Sequence, residues 1–236
     1  MLPIAASGST AYWYLTRSTG AVALVLLTLV LVLGVFDVSR VATRRWPRFV
    51  IDGLHRNVSL LAVTFVGVHI LTSVLDSFAP ISLLDSVIPF HSAYRPLWLG
   101  LGAVAFDLMI AVLITSLVRA RLGFGAWRAV HWLAYASWPF AVLHGLGTGS
   151  DVKQVWLLLL TWLCIGAVAA AVAARMAWTP NLPVGRKAAV SAAPLVFVLA
   201  LLVWLPLGPL GSNWARRAGT PASLLPGGTA TTASSR

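Results

Sequence analysis

Six apolar runs, each about as long as a bilayer is thick, leave this chain little freedom in how it folds. They cover Trp13 to Phe36, Gly53 to Leu75, Leu97 to Val118, Trp127 to Leu146, Val155 to Ala174 and Ala188 to Leu207, and a helix needs about 20 residues to cross the hydrocarbon core. Hydrophobic residues make up 59% of the 236 and charged residues only 10%, a balance outside the range of soluble domains. The expected fold is all-α: a polytopic membrane protein, multi-pass in the cell membrane, with a six-helix transmembrane domain over residues 13–207. Residues 1–12 form a short N-terminal segment. The first run is too long for the apolar core of a signal peptide and lacks its flanking pattern, so it reads as a retained span. Residues 208–236 are mostly Gly, Pro, Ala, Ser and Thr, with too little apolar surface to bury, and read as a disordered tail.

Loop charges orient the spans, because short cytoplasmic loops carry an excess of lysine and arginine. Arg40, Arg44, Arg45 and Arg48 follow the first run, Arg119, Arg121 and Arg128 lie between the third and fourth, and Arg175, Arg186 and Lys187 lie between the fifth and sixth. The alternate loops hold Asp76, Asp85, Arg95, Asp151 and Lys153, whose charges nearly cancel. Both termini are therefore expected outside, against the weak pull of Arg17, Arg216 and Arg217. The net charge of +11 then reflects topology and contact with anionic lipid headgroups, and no nucleic-acid-binding motif accompanies it.

Four histidines lie inside these runs, where an ionisable side chain is expensive and marks a functional site by default. His55 and His69 are fourteen residues apart, His131 and His144 thirteen. At about 1.5 Å per residue the two separations are roughly 21 and 20 Å. The second and fourth spans run in the same direction, so His55 should face His131 near the cytoplasmic side and His69 should face His144 near the outer side. Rotation is a stricter test: at about 100° per residue, fourteen steps return within roughly 40° of the same face, and thirteen miss by roughly 140°. Pro139 lies between His131 and His144, and a kink or bulge there would be needed to bring the second ligand round.

Two imidazoles per iron fill both axial positions of a haem, so the ladder reads as two stacked b-type haem sites. Other readings are hydrogen-bonded histidine pairs without metal, or a zinc or copper site, which needs ligands clustered within a few ångströms. The corresponding non-redox functions are a metal transporter or an assembly factor. Cys164 is the only cysteine, which excludes disulfides, cysteine-ligated clusters and covalent haem attachment. Gly67, two residues before His69, offers room for a porphyrin. His91, in an outer loop, reads as solvated or interfacial.

The run Leu54 to Leu71, LHRNVSLLAVTFVGVHIL, and the run Trp127 to Gly145, WRAVHWLAYASWPFAVLHG, resemble the ferric-reductase-like transmembrane domain. That superfamily includes the NADPH oxidases, the iron reductases and the haem-binding membrane subunit of the bacterial methionine sulfoxide reductase system. Thr19-Gly20, Arg95-Pro96, Leu122-Gly123 and Trp127 add to the likeness, which covers roughly Tyr12 to Trp178. The resemblance implies that His55, His69, His131 and His144 ligate haem iron. It implies electron transfer across the bilayer, outward to ferric iron, oxygen or a partner reductase on the outer side. Oxidases and iron reductases of the group also carry flavin and nicotinamide domains; no Gly-rich fingerprint after a strand occurs in these 236 residues, so a separate flavoprotein or quinol is the expected donor.

Arginine grips carboxylates with a forked geometry, which makes Arg56, beside His55, and Arg95, on the outer side, candidates for holding haem propionates. Asp107, in the middle of the third run, reads as a proton carrier, as an acceptor for a ligand imidazole, or as a partner for a hydroxyl on a neighbouring helix. Trp13, Trp98, Trp127, Trp156 and Trp178 sit at span ends, where interfacial aromatic belts are expected.

Overall fold

The computed structural model describes residues 11–38, 48–149, 151–178 and 183–225, so Arg40, Arg44 and Arg45 lie outside the described residues. In order, the helices are α1 (Ala11–Val38), α2 (Arg48–Leu75), α3 (Leu83–Val87), α4 (Pro96–Leu117), α5 (Arg119–Leu122), α6 (Phe124–His131), α7 (Ala134–Thr148), α8 (Val155–Trp178), α9 (Val184–Leu207) and α10 (Trp214–Arg217), followed by a 3₁₀ turn at Ala222–Leu224. No strand occurs among the described residues.

Five helices are long and apolar enough to cross a membrane: Ala11–Phe36, Phe49–Leu75, Pro96–Leu117, Val155–Trp178 and Lys187–Leu207. Their outward faces carry large apolar side chains such as Leu60, Leu71, Leu163 and Val203, which suits a hydrocarbon surrounding. The protein is a multi-pass membrane protein.

The stretch expected as the fourth span is broken. It forms α6 and α7, with Trp132 and Leu133 between them. Around the break the backbone changes from i−4 to i−3 bonding: Leu133 donates to Val130, Tyr135 to Trp132 and Ala136 to Leu133, at 2.9 to 3.1 Å. Pro139 lies inside α7, so the interruption falls upstream of the residue expected to cause it. Proline has no N–H for the carbonyl four residues back and presses on it, which places its effect at Tyr135, at the edge of the tightened segment. Each residue of a 3₁₀ turn rotates the chain by about 120° instead of about 100°. The three tightened bonds therefore turn the chain in the sense by which a regular thirteen-residue step falls short.

α1 lies at the centre and packs against α2, α7 and α8; α4 packs on α7, and α9 on α8. The core between α1, α7, α8 and α9 is built on Leu31, Trp138, Val142, Leu146, Cys164 and Leu201. A small polar group is buried within it: the Trp138 indole N–H donates to Thr28 Oγ1 at 3.0 Å, and the Thr28 hydroxyl donates to the Leu24 carbonyl at 2.8 Å. An indole whose ring is apolar and whose N–H has a partner is suited to such a place.

The segment after α9 also differs from expectation. Residues 208–225 fold back over the ends of α4 and α7. Arg95 donates its backbone N–H to the Gly219 carbonyl at 3.1 Å, and Trp214 donates its indole N–H to the Gly147 carbonyl at 3.2 Å. A composition poor in large apolar residues is held in place by Trp214 of the segment itself and by Arg95 at the start of α4, which supply packing area and donors. Residues 226–236 lie outside the described residues.

Candidate functional site

α2 is continuous from Arg48 to Leu75 and carries His55 and His69; α6 ends on His131 and α7 carries His144. The structure brings them together in two pairs. The ring centroids of His55 and His131 are 6.3 Å apart with the planes at 63°, and those of His69 and His144 are 6.2 Å apart at 83°.

In the second pair both rings are held from behind by backbone. His69 Nδ1 lies 2.8 Å from the Thr16 carbonyl oxygen on α1, and His144 Nδ1 lies 3.0 Å from the Trp98 carbonyl oxygen on α4. A carbonyl can only accept, so Nδ1–H is the donor in each ring, and Nε2 keeps its lone pair. This tautomer is the one that ligates a metal through Nε2.

Glycines on neighbouring helices make the close approach possible. A Cβ at Gly20 would lie 3.0 Å from His69 Cε1 and Nδ1, one at Gly34 would lie 3.4 Å from His55 Cε1, and one at Gly102 would lie 2.4 Å from His144 Nδ1. Gly20 and Gly34 are on α1, spaced by the same fourteen residues as His69 and His55, so antiparallel α1 gives each histidine of α2 a glycine to lie against. Gly67 does not serve this purpose: a Cβ there would meet nothing within 4 Å, and its surface is exposed.

A cavity of about 310 Å³ opens beside His69 and His144, within the usual size for a small-molecule or cofactor site, about 300–1,000 Å³. Its walls are apolar, with Leu24, Val66, Phe106 and Met109 among them, and its mouth is polar, with Arg17, Asp76, Tyr94 and Asp151. Arg17 pairs with Asp151 and stacks on the Trp13 ring.

At the other pair, the Trp127 ring lies 4.9 Å from that of His131 at 30° and donates its N–H to Ser116 Oγ at 3.2 Å. The Arg119 guanidinium sits over the Trp127 ring, 5.3 Å from its centroid. Trp127 is thus part of the histidine surroundings as well as a span-end aromatic. His131 Nδ1 is buried and accepts or donates no hydrogen bond among the described residues.

The two candidate arginines fare differently. Arg56 is exposed beside His55. Arg95 is buried but is not among the residues lining the cavity; its guanidinium donates to Thr220 Oγ1 at 2.9 Å and to the carbonyls of Gly147 and Thr148 at 3.1 and 2.9 Å. Arg17 occupies the cavity mouth instead. Asp107 does not line the cavity, and the acceptors for the His69 and His144 imidazoles are the Thr16 and Trp98 carbonyls. His91, expected to be solvated or interfacial, is half exposed and hydrogen-bonds to buried Asp85 at 2.9 Å.

Sequence reasoning missed the two carbonyls, which no side-chain pattern encodes, and the role of Arg17. It also missed the glycine spacing, which was legible: Gly20 and Gly34 repeat the histidine step. Among the described residues no group of three or more His, Cys, Asp or Glu comes together.

No curated protein and no solved structure matches the chain. The family described as ferric reductase like transmembrane component matches residues 19–148, more than half of the chain, a stretch that includes all four intramembrane histidines and the three glycines behind them. The chain belongs to that ferric-reductase-like transmembrane family.

Proposed function

We propose that this protein is a membrane b-type cytochrome that carries electrons across the bilayer through two haems, one held by His55 and His131 and one by His69 and His144. The spacing of the imidazole rings carries the reading. A metal–imidazole bond of about 2.0 Å and roughly 1.1 Å from ring nitrogen to ring centre put two axial imidazoles about 6 Å apart, centre to centre. The observed 6.2 and 6.3 Å match this. Rings hydrogen-bonded directly to each other would sit closer, near 5 Å from a donor–acceptor distance of about 2.9 Å.

Bis-imidazole haem iron exchanges electrons without an open coordination position. The chain's own residues do the rest. The Thr16 and Trp98 carbonyls fix the imidazole tautomer and orientation, as acceptors behind metal-bound histidines do. Gly20, Gly34 and Gly102 let the rings stand back from the gap, and the apolar cavity walls keep water from the outer site. In this reading α6 and α7 together form a sixth crossing. Their 25 residues, Phe124 to Thr148, reach about 37 Å as helix, against a hydrocarbon core of about 30 Å.

The basic side, with Arg119, Arg121, Arg128 and Arg175, is the cytoplasmic one, and electrons move from it towards the Arg17–Asp151 side. With the cell interior negative, each electron moved outward releases about 2.3 kcal/mol per 100 mV. The donor is a flavoprotein or a quinol, and the acceptor is ferric iron, oxygen or a partner reductase on the outer side.

The test is the visible spectrum of the purified chain and its haem-to-protein ratio. Two b-type haems per chain are expected. His69→Ala and His144→Ala should each remove one spectral component, and His55→Ala and His131→Ala the other. A colourless protein that remains folded would sink the reading, and a single substitution that removed both components would refute separate sites.

A further inference from the structure

Residues 208–225 form a strap across the ends of α4 and α7, the two helices that meet at His144. α4 supplies the Trp98 carbonyl that accepts a hydrogen bond from His144 Nδ1–H, at 3.0 Å. α7 supplies His144 itself, and Gly147, one turn on, presses against the Trp98 ring: a Cβ at Gly147 would lie 2.3 Å from Trp98 Cδ2.

The strap fastens both sides of this junction. Trp214 donates to the Gly147 carbonyl at 3.2 Å, and its ring packs 5.2 Å from that of Trp98. Trp204, at the end of α9, closes the cluster, 4.8 Å from Trp98 and 5.9 Å from Trp214. Arg95 ties the first turn of α4 to the same place: the Gly219 carbonyl accepts its backbone N–H, Thr220 Oγ1 accepts from its Nε, and the Gly147 and Thr148 carbonyls accept from its Nη1. Gly219, at φ 89°, turns the strap back against Pro96, where a Cβ would come within 3.0 Å of the proline ring.

The Trp98 carbonyl is therefore not free to choose its distance from His144. We infer that the strap is a positioning element for the outer haem: through Arg95, Thr220 and the Trp98–Trp204–Trp214 cluster it holds the carbonyl that sets the basicity of the His144 imidazole, and so sets that haem's reduction potential. The inference rests on the haem reading above. A strong Nδ1–H···O bond makes an axial imidazole a better electron donor to iron and favours the oxidised state. Losing such a partner behind a ligating histidine typically costs ten- to hundredfold in metal affinity or activity, of the order.

The experiment is a spectroelectrochemical titration of the full chain, with the outer component identified as the one lost in His69→Ala. Thr220→Val removes the acceptor for Arg95 Nε, and Trp214→Phe removes the donor to Gly147 while keeping a ring. Both should raise the outer midpoint and leave the inner one in place. The expected size approaches a tenfold change in the reduction equilibrium, which is ~59 mV for a one-electron couple. Thr220→Ser, which keeps the hydroxyl, should restore the wild-type value. The inference is overturned if both variants hold two haems with unmoved midpoints, or if the inner and outer midpoints move together. Trp214→Ala is the harsher change; should it fail to fold, the Thr220 pair and Trp214→Phe still decide. A wild-type chain without haem overturns the parent reading, and this one with it.

Discussion

Adding one methyl group at a time to the glycines behind the histidines should grade the loss of each site by distance. Gly102→Ala puts a Cβ 2.4 Å from His144 Nδ1 and 2.7 Å from Cε1. Ordinary contact starts near 3.4 Å, so ring or helix must give by about 1 Å, against a tolerance of about 0.2 Å in a metal–ligand bond. The same shift breaks the bond to the Trp98 carbonyl, worth about 1 kcal/mol. Gly20→Ala meets His69 at 3.0 Å and needs only a few tenths of an ångström; Gly34→Ala meets His55 at 3.4 Å and needs none; Gly67→Ala meets nothing within 4 Å. Alanine is the better helix former by up to ~1 kcal/mol, so all four substitutions share a small gain in intrinsic helix stability, and Gly67→Ala measures it. The assay is haem per folded chain with the reduced-minus-oxidised spectrum, the folded fraction taken from gel filtration. Gly102→Ala should lose most or all of the outer component, Gly20→Ala part of it, Gly34→Ala little of the inner one, and Gly67→Ala nothing. An intact outer component in Gly102→Ala, or equal loss in Gly67→Ala, would refute the reasoning.

Further expectations concern the core and the loop that holds Asp85. Thr28→Val strands the buried Trp138 indole N–H and should cost about 1–3 kcal/mol of stability, read as a lower thermal midpoint, whereas Trp138→Phe with Thr28→Val, which removes both partners, should recover much of it. Burial alone would raise the Asp85 carboxyl, but hydrogen bonds from the Ser82 N–H, the His91 ring and the Ser82 hydroxyl outweigh it and hold the group below its ordinary value. Its contribution is therefore complete above the unfolded value, about 3.9, and is lost as pH falls through the lower folded one. Hydrogen exchange across residues 76–95 should speed up in that acid range, and Asp85→Asn should show the faster exchange already at neutral pH; unchanged exchange in the variant would contradict this.

The vertical match between the two histidine ladders was legible because helix rise depends only on residue count. Rotation was not, because it depends on where the hydrogen-bond pattern changes, and Pro139 marks the neighbourhood of that change while the break itself falls at Trp132 and Leu133. Arg95 shows a different limit. Its position at the start of α4 was readable, but its partners are backbone carbonyls of α7 and a threonine 125 residues away, which no local pattern announces. Residues 208–225 show a further limit: apolar content predicts whether a segment can fold alone, not whether Trp214 and Thr220 will dock on a platform already formed. Thr19-Gly20 was visible as a family likeness, and only the contact with His69 explains why a glycine is needed there.

The glycine and histidine steps on α1 and α2 have a consequence for how these helices wind. Fourteen is two sevens, and halfway along lie Leu27 on α1 and Ala62 on α2, the latter almost wholly buried. The seam thus reads Gly, Leu, Gly against His, Ala, His in antiparallel register. A seven-residue repeat kept in contact drifts by roughly 20° per repeat on a straight helix, and is held in line by a left-handed supercoil. α1 and α2 should therefore wrap around each other as a short coiled coil, and the distance between the two rungs is quantised: a homologue can lengthen or shorten this ladder by seven residues in both helices at once, while a single insertion in either would turn one glycine away from its histidine.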